Sequence, residues 1–320
     1  MSLVPKEKYT KAPLTTEQQV DLLRSRGLLI EDPDRAKYYL DRISYYRLSG
    51  YVLPFEEPTD DGQRSHKFKP GTTFETILDL YLFDRKLRTL VMDAMERVEV
   101  AVRSQMCLHM ANKYGDGWWH LDSTHFKTRF DHADFVNHCD EQLKRTHEVF
   151  IKHYIERYDD PPFPPSWMTL ELLTMGRSSI LFMNIRRRSD KNTISRVFGI
   201  HYKVLASWLH SMSYLRNLCA HHSRLWNRTF TIKPILLEHH PIAENARARF
   251  AAQAAILVDM LKATAPDSAW STRLYETFLQ HPDVDTRRMG FPVDWQSDKY
   301  WQVSAPRWRA LWASAKNLTR

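Results

Sequence analysis

The stretch "GTTFETILDLYLFDRKLRTLVMDAMERVEVAVRSQMCLHMANKYG", residues 71–115, constrains the fold more than any other part of the chain. Apolar residues recur along it at spacings of three and four, the pattern of a helix with a buried face. Thr72 and Glu75 have the spacing of a capping box, and Gly115-Asp116-Gly117 breaks the pattern at the far end. Roughly forty helical residues span about 60 Å, so a bend or break within the run is expected.

The flanking sequence reads as further helices. "LTTEQQVDLLRSRGLLI" pairs Thr15 or Thr16 with Gln18 or Gln19 as a cap and places Gly27 at the stop. Pro33 opens "DPDRAKYYLDRISYYRLSGY", read as one helix ending near Gly50, and the polar run from Pro54 to Gly71 reads as a loop or irregular β connection. "FDHADFVNHCDEQLKRTHEVFIKHYIERY" reads as one amphipathic helix, stopped by "DDPPFPPS". A helix from about His201 to Asn227 follows the basic turn "RRRSDKN", and two more lie in "IAENARARFAAQAAILVDMLKATA" and "DSAWSTRLYETFLQH". The aromatic tail "MGFPVDWQSDKYW" reads as packed rather than dangling. With only 9 glycines in 320 residues, the expected class is all-α. The expected organisation is an N-terminal helical segment and loop over 1–70, a helical core over 71–265 with an inserted helix near 130–160, and a C-terminal helical and aromatic segment over 266–320 packed on the core.

The net charge of +8 favours polyanionic partners. Cys107, Cys139 and Cys219 are widely spaced, which argues against a zinc ribbon and against a disulfide scaffold. No apolar run reaches the ~18–20 residues a membrane span needs. "MSLVPKEKYTKAPL" lacks the apolar centre of a signal peptide, so a cytoplasmic location and no membrane partner are expected.

Chemistry concentrates in "SYLRNLCAHHSRLWNR", Ser213 to Arg228. On a continuous helix, Leu205, Trp208, Met212, Leu215, Cys219, His222 and Trp226 form an apolar stripe, which makes His222 a core histidine. His210, Tyr214, Asn217, His221, Arg224 and Arg228 form a second stripe. It carries hydrogen-bond donors and no carboxylate, whereas an ordinary solvated face mixes both signs for i,i+4 pairs. The second stripe therefore reads as an anion-facing surface. Arg216 sits about 140° around the axis from His221, between the small residues Ser213 and Ala220, which leave space for another element or a ligand.

Arg216, Asn217 and His221 spell R-N-x-x-x-H, which resembles the signature of HEPN ribonucleases. "PLTTEQQVDLLRSRGLLI", "ISYYRLSGYVLPF", "LYLFDRKLRTLVMDAMERVEVAVRSQM" and "MGFPVDWQSDKYW" resemble, in order, the blocks of AbiD/AbiF-type Abi-like abortive-infection proteins. The likeness covers about residues 13–305. It implies a HEPN-type helical bundle with added N- and C-terminal helical segments, acting as a metal-independent endoribonuclease toxin of phage defence. Matched residue by residue, Arg216 and His221 are the catalytic pair and Asn217 the polar position after the arginine. The resemblance also implies a homodimer with a composite cleft, and leaves room for an antitoxin or a restraining RNA or protein.

RNA carries its own nucleophile, the 2′-OH, so no cofactor and no metal are expected. Histidine suits proton transfer and arginine suits the phosphate. Tyr214, Arg224 and Arg228 could extend the site towards RNA, as could Glu99 and Arg103 on the long helix. For Glu99 and Arg103, an i,i+4 ion pair is the competing reading. The run from Arg186 to Lys191 reads as a solvated turn that attracts RNA electrostatically. Two other functions stay open: a non-catalytic RNA- or protein-binding HEPN module, and a metal hydrolase using His120 and His125, or His132 and His138.

Overall fold

Thr15 caps the first helix as its spacing demands: its side chain accepts from the Gln18 amide while the Gln18 side chain accepts from the Thr15 amide. The computed structural model describes Lys8, residues 12–60 and residues 64–301. The described residues form twelve α-helices with short 3₁₀ turns, isolated bridges and no strand, an all-α fold. The chain divides into two compact units, Met1–Asp84 and Arg85–Arg320.

In the first unit, α1 (Thr16–Ser25) ends before Gly27, whose φ of +92° suits a residue without a Cβ. The run expected as one helix after Pro33 is two, α2 (Pro33–Ile43) and α3 (Tyr45–Val52). Ser44 breaks it at φ 71°, closing α2 through its amide and capping α3 with its hydroxyl, which accepts from the Arg47 amide. The polar connection after α3 is pinned by a single antiparallel bridge, Glu56 to Phe68. Helix α4 (Phe74–Tyr114) begins in this unit and continues into the second as 41 residues of α-helix, so of the expected bend or break there is no break. Its first turn is held by Thr73, whose Oγ1 accepts from the Thr76 amide at 3.1 Å, while the Thr72 hydroxyl turns back to the Lys69 carbonyl. The cap is therefore one residue later than the Thr72–Glu75 spacing suggested.

The second unit continues with α5 (His132–Arg145) and α6 (Val149–Arg157), separate helices where one was expected, parted at Thr146–Glu148. The short α7 (Ser166–Thr169), then α8 (Met175–Asn184), α9 (Arg188–Arg196) and α10 (Tyr202–Ala220) follow. Helix α11 (Phe250–Thr264) is the centre of the core. From Phe250 to Leu261 every residue but Asp259 is buried, as befits a helix apolar on all sides. Its one buried amide, Gln253, is satisfied by the Ser211 hydroxyl at 2.8 Å and the Ile232 carbonyl at 3.3 Å. Helix α12 (Trp270–Leu279) is tied to α4 by its Trp270 Nε1, which donates to the Leu90 carbonyl at 2.7 Å. The aromatic tail packs as expected: Phe291, Trp295 and Trp301 are buried, Phe291 and Trp295 meet Phe278 edge to face, and Trp301 lies tilted against Phe291. The last residues of the expected family likeness, beyond Trp301, lie outside the described residues.

Candidate functional site

Helix α10 is positioned by both of its faces. Leu205, Trp208, Met212, Leu215 and Cys219 are buried, the stripe that the spacing predicts. Trp208 Nε1 donates to the Ile235 carbonyl at 2.7 Å and the Ser207 hydroxyl accepts from the Ile235 amide, so the chain after α10 docks back along it. On another face α8 comes close: a Cβ on Gly176 would stand 3.1 Å from Ser213 Oγ. The space beside Ser213 is thus taken by another helix. Arg216, three residues on and on the same face, is half-buried.

The helix stops at Ala220, seven residues short of the expected end. His221 is the C-cap at φ −87°, its amide donating to the Asn217 carbonyl at 3.0 Å. His222 then enters the left-handed region at φ 54°. Its amide donates to Cys219 at 3.0 Å and the Ser223 amide to Leu218 at 2.8 Å, the two bonds of a Schellman cap. Glycine usually fills that slot; a β-carbon there costs about 1 kcal/mol or more. This overturns the core assignment of His222. The apolar stripe was extended past the point where the helix ends, and both histidines are exposed.

The motif residues therefore gather at the C-terminal end of α10. Asn217 and His221 are exposed, while Arg216 keeps its guanidinium half-buried with Nε wholly buried and without a hydrogen-bond partner. A buried donor left unmatched costs on the order of 1–3 kcal/mol. Tyr214 is half-buried, its ring edge-on to Phe230 at 6.3 Å. Arg228 folds back, its Nε donating to the Arg224 carbonyl at 2.7 Å. A helix C-terminus carries partial negative charge, so an anion here has to be held by side chains and not by backbone amides. Sequence reasoning passed over Arg88 of α4, whose Nη1 lies 3.5 Å from the Ser223 carbonyl and braces the segment that follows the motif.

Glu99 and Arg103 belong to a different structure. Arg103, nine-tenths buried, pairs with Glu99, donates to the Leu173 carbonyl and lies 3.5 Å from Glu171. That is the ion-pair reading of the two residues.

The histidines weighed as metal ligands do not form a site. His120 is fully buried with neither ring nitrogen hydrogen-bonded, and burial, then His132, lowers it to about 3. His132 Nε2 lies 2.9 Å from the His120 carbonyl, and the His125 ring lies tilted against Tyr114 at 4.1 Å. Among the described residues the one three-ligand group is His239, His240 and Asp259, which the sequence did not single out. Its ligand atoms are engaged in hydrogen bonds with one another and with their neighbours. The Leu237 amide donates to His240 Nδ1 at 3.2 Å, which leaves the ring proton on Nε2, 2.9 Å from Asp259 Oδ2. His239 Nε2 reaches the same oxygen at 2.6 Å, and Lys262 and Tyr300 hold the other. Burial opposes the Asp259 charge, but hydrogen bonds from His240, Lys262 and His239 outweigh it and hold the carboxyl well below its usual range.

No helix among the described residues is long and apolar enough to cross a membrane. No curated protein and no solved structure matches the chain. A family model described as Abi-like protein matches residues 38–227, more than half of the chain and including the whole of α10 with its cap, so the chain belongs to the Abi-like protein family.

Proposed function

We propose that the chain is a metal-independent endoribonuclease of the HEPN type, acting in abortive infection. Membership of the Abi-like family suggests the abortive-infection role. The observation that carries the chemistry is Arg216: a half-buried guanidinium with an unmatched Nε, beside exposed Asn217 and His221 at one helix end. A phosphate is the ligand that planar donor fork fits.

In this reading the substrate's own 2′-OH attacks the adjacent phosphorus and the 5′-oxygen leaves. Arg216 neutralises charge on the pentacoordinate phosphate, Asn217 orients it, and His221 moves a proton. One histidine cannot be base and acid in one step, so two chains facing each other across a composite cleft would supply both. Tyr214, Arg224 and Arg228 would extend the cleft along the strand.

The test is cleavage of end-labelled RNA in EDTA by the full chain. Wild type is expected to cut and His221→Ala to lose cutting while folding normally. Cutting that needs a divalent ion would point to a metal hydrolase instead, and RNA binding without cutting in any buffer to a non-catalytic module. Sedimentation of an active sample as a monomer would remove the composite cleft.

A further inference from the structure

The basic run from Arg186 to Lys191 is not the solvated turn its composition suggests. It opens α9, and its last two residues are buried, Asp190 to 1% exposure and Lys191 to 4%. Neighbours in the chain, they face different partners. Asp190 is fully engaged by His109 at 3.1 Å, by Tyr114 at 2.7 Å and by Lys113. Burial works against its charge, and hydrogen bonds from Lys113, Tyr114 and His109 overcome that and keep it ionised. Nothing of Asp190 is left to neutralise Lys191.

Lys191 instead lines a cavity of about 240 Å³ with Lys127, Arg129, Asn184, Tyr202 and Lys203. Four cations border this space and no carboxylate does. Among the described residues no acceptor is paired with the Lys191 ammonium, which sits over the Tyr202 ring at 5.1 Å. The walls are tied to one another. Phe126 and Ile185 form an antiparallel bridge, the Lys127 amide donates to the Asn184 carbonyl at 2.9 Å, and Lys127 Nζ donates to the Met183 carbonyl at 2.5 Å. Tyr202 and Lys203 begin α10, so the positive end of that helix lies at the same place. Burial, then Lys127, Arg188 and Arg129, lowers Lys191 to about 8, the signature of a charge confined among like charges.

We propose that this cavity binds a polyphosphate group, free or carried by a nucleotide. A phosphodiester brings one negative charge to a place bordered by four cations, whereas a pyrophosphate group brings several and fits the charge count. The cavity is about 27 Å along α10 from His221, so it is a second site and not part of the cleavage site. The inference does not rest on ribonuclease activity, and its test uses the His221→Ala protein so that binding is read apart from any cleavage at the motif.

Full-length His221→Ala protein is titrated calorimetrically with sodium pyrophosphate, with ATP and with a short 5′-hydroxyl RNA. Melting temperature is followed in parallel. Pyrophosphate and ATP are expected to bind and to raise the melting temperature, with affinity falling as salt rises. Lys191→Met, and separately the exposed pair Arg129→Ala/Lys203→Ala, are expected to weaken both by at least about tenfold. Tighter binding of ATP that Tyr202→Leu returns to the pyrophosphate level identifies a nucleotide; equal affinities identify the polyphosphate alone. The proposal is overturned if neither small ligand binds at about 1 mM. It is also overturned if the double variant binds as wild type, or if RNA alone is lost on these substitutions.

Discussion

The Ser223 amide donates to the Leu218 carbonyl at 2.8 Å, and that bond turns the chain out of α10 immediately after His221. The turn forces His222 into the left-handed region, so a strained residue stands directly beside the one proposed to move protons. His222→Gly should relieve the strain and stabilise the fold by about 1 kcal/mol in urea unfolding, less the added chain entropy of glycine. Cleavage should survive it, since His222 has no proposed chemical role. A His222→Gly protein that is no more stable and has lost cleavage would move the chemistry from His221 to His222.

Arg216 should behave as a residue kept at a cost to the fold. With Nε buried and unmatched, Arg216→Met removes an unsatisfied donor while keeping an unbranched apolar stem of similar length. Unfolding free energy should be unchanged or higher, while the cleavage rate falls by about 10²-fold or more. A loss of stability without a specific loss in rate would make Arg216 a packing residue.

Much of this could be read from the residues alone, where side-chain chemistry marks an element's end. Thr15 with Gln18, and Pro33, announce helix starts that the structure keeps. The breaks at Ser44 and Thr146 were illegible because the apolar stripe runs on through them, and only the backbone changes course. The end of α10 was missed for the same reason: no glycine marks it, and a histidine occupies the left-handed slot. The two-stripe reading still placed Asn217 and His221 on the exposed side of the helix, and it correctly located the buried face up to Cys219. Lys191 and Asp190 were misjudged for a different cause. The partners that bury Asp190 lie 76 to 81 residues away in sequence, and no local pattern reports such pairs.

Arg103 separates a structural role from an RNA contact. It binds Glu99 and the Leu173 carbonyl from a buried position, and removing one member leaves the other charge unpaired. Arg103→Ala should lose about 3 kcal/mol of stability, read from urea midpoints. The RNA dissociation constant of the remaining folded protein should not move. A tenfold weaker affinity at unchanged stability would return Arg103 to the RNA surface.

Asp259 makes the stability of the second unit sensitive to acid. Its folded carboxyl titrates well below an unfolded value near ~3.9, so the folded state binds fewer protons over that window. The stabilisation is complete above the unfolded value and is lost as pH falls towards the folded one. Asp259→Asn keeps the shape and removes the charge that His240, His239 and Lys262 share. It should cost on the order of 1–3 kcal/mol at pH 7. The gap between wild type and variant should hold between pH 7 and 5 and narrow progressively below about pH 4. Urea unfolding at a series of pH values measures that gap directly. A gap that stayed constant down to pH 2 would mean the charge of Asp259 contributes nothing to the fold and only its shape matters.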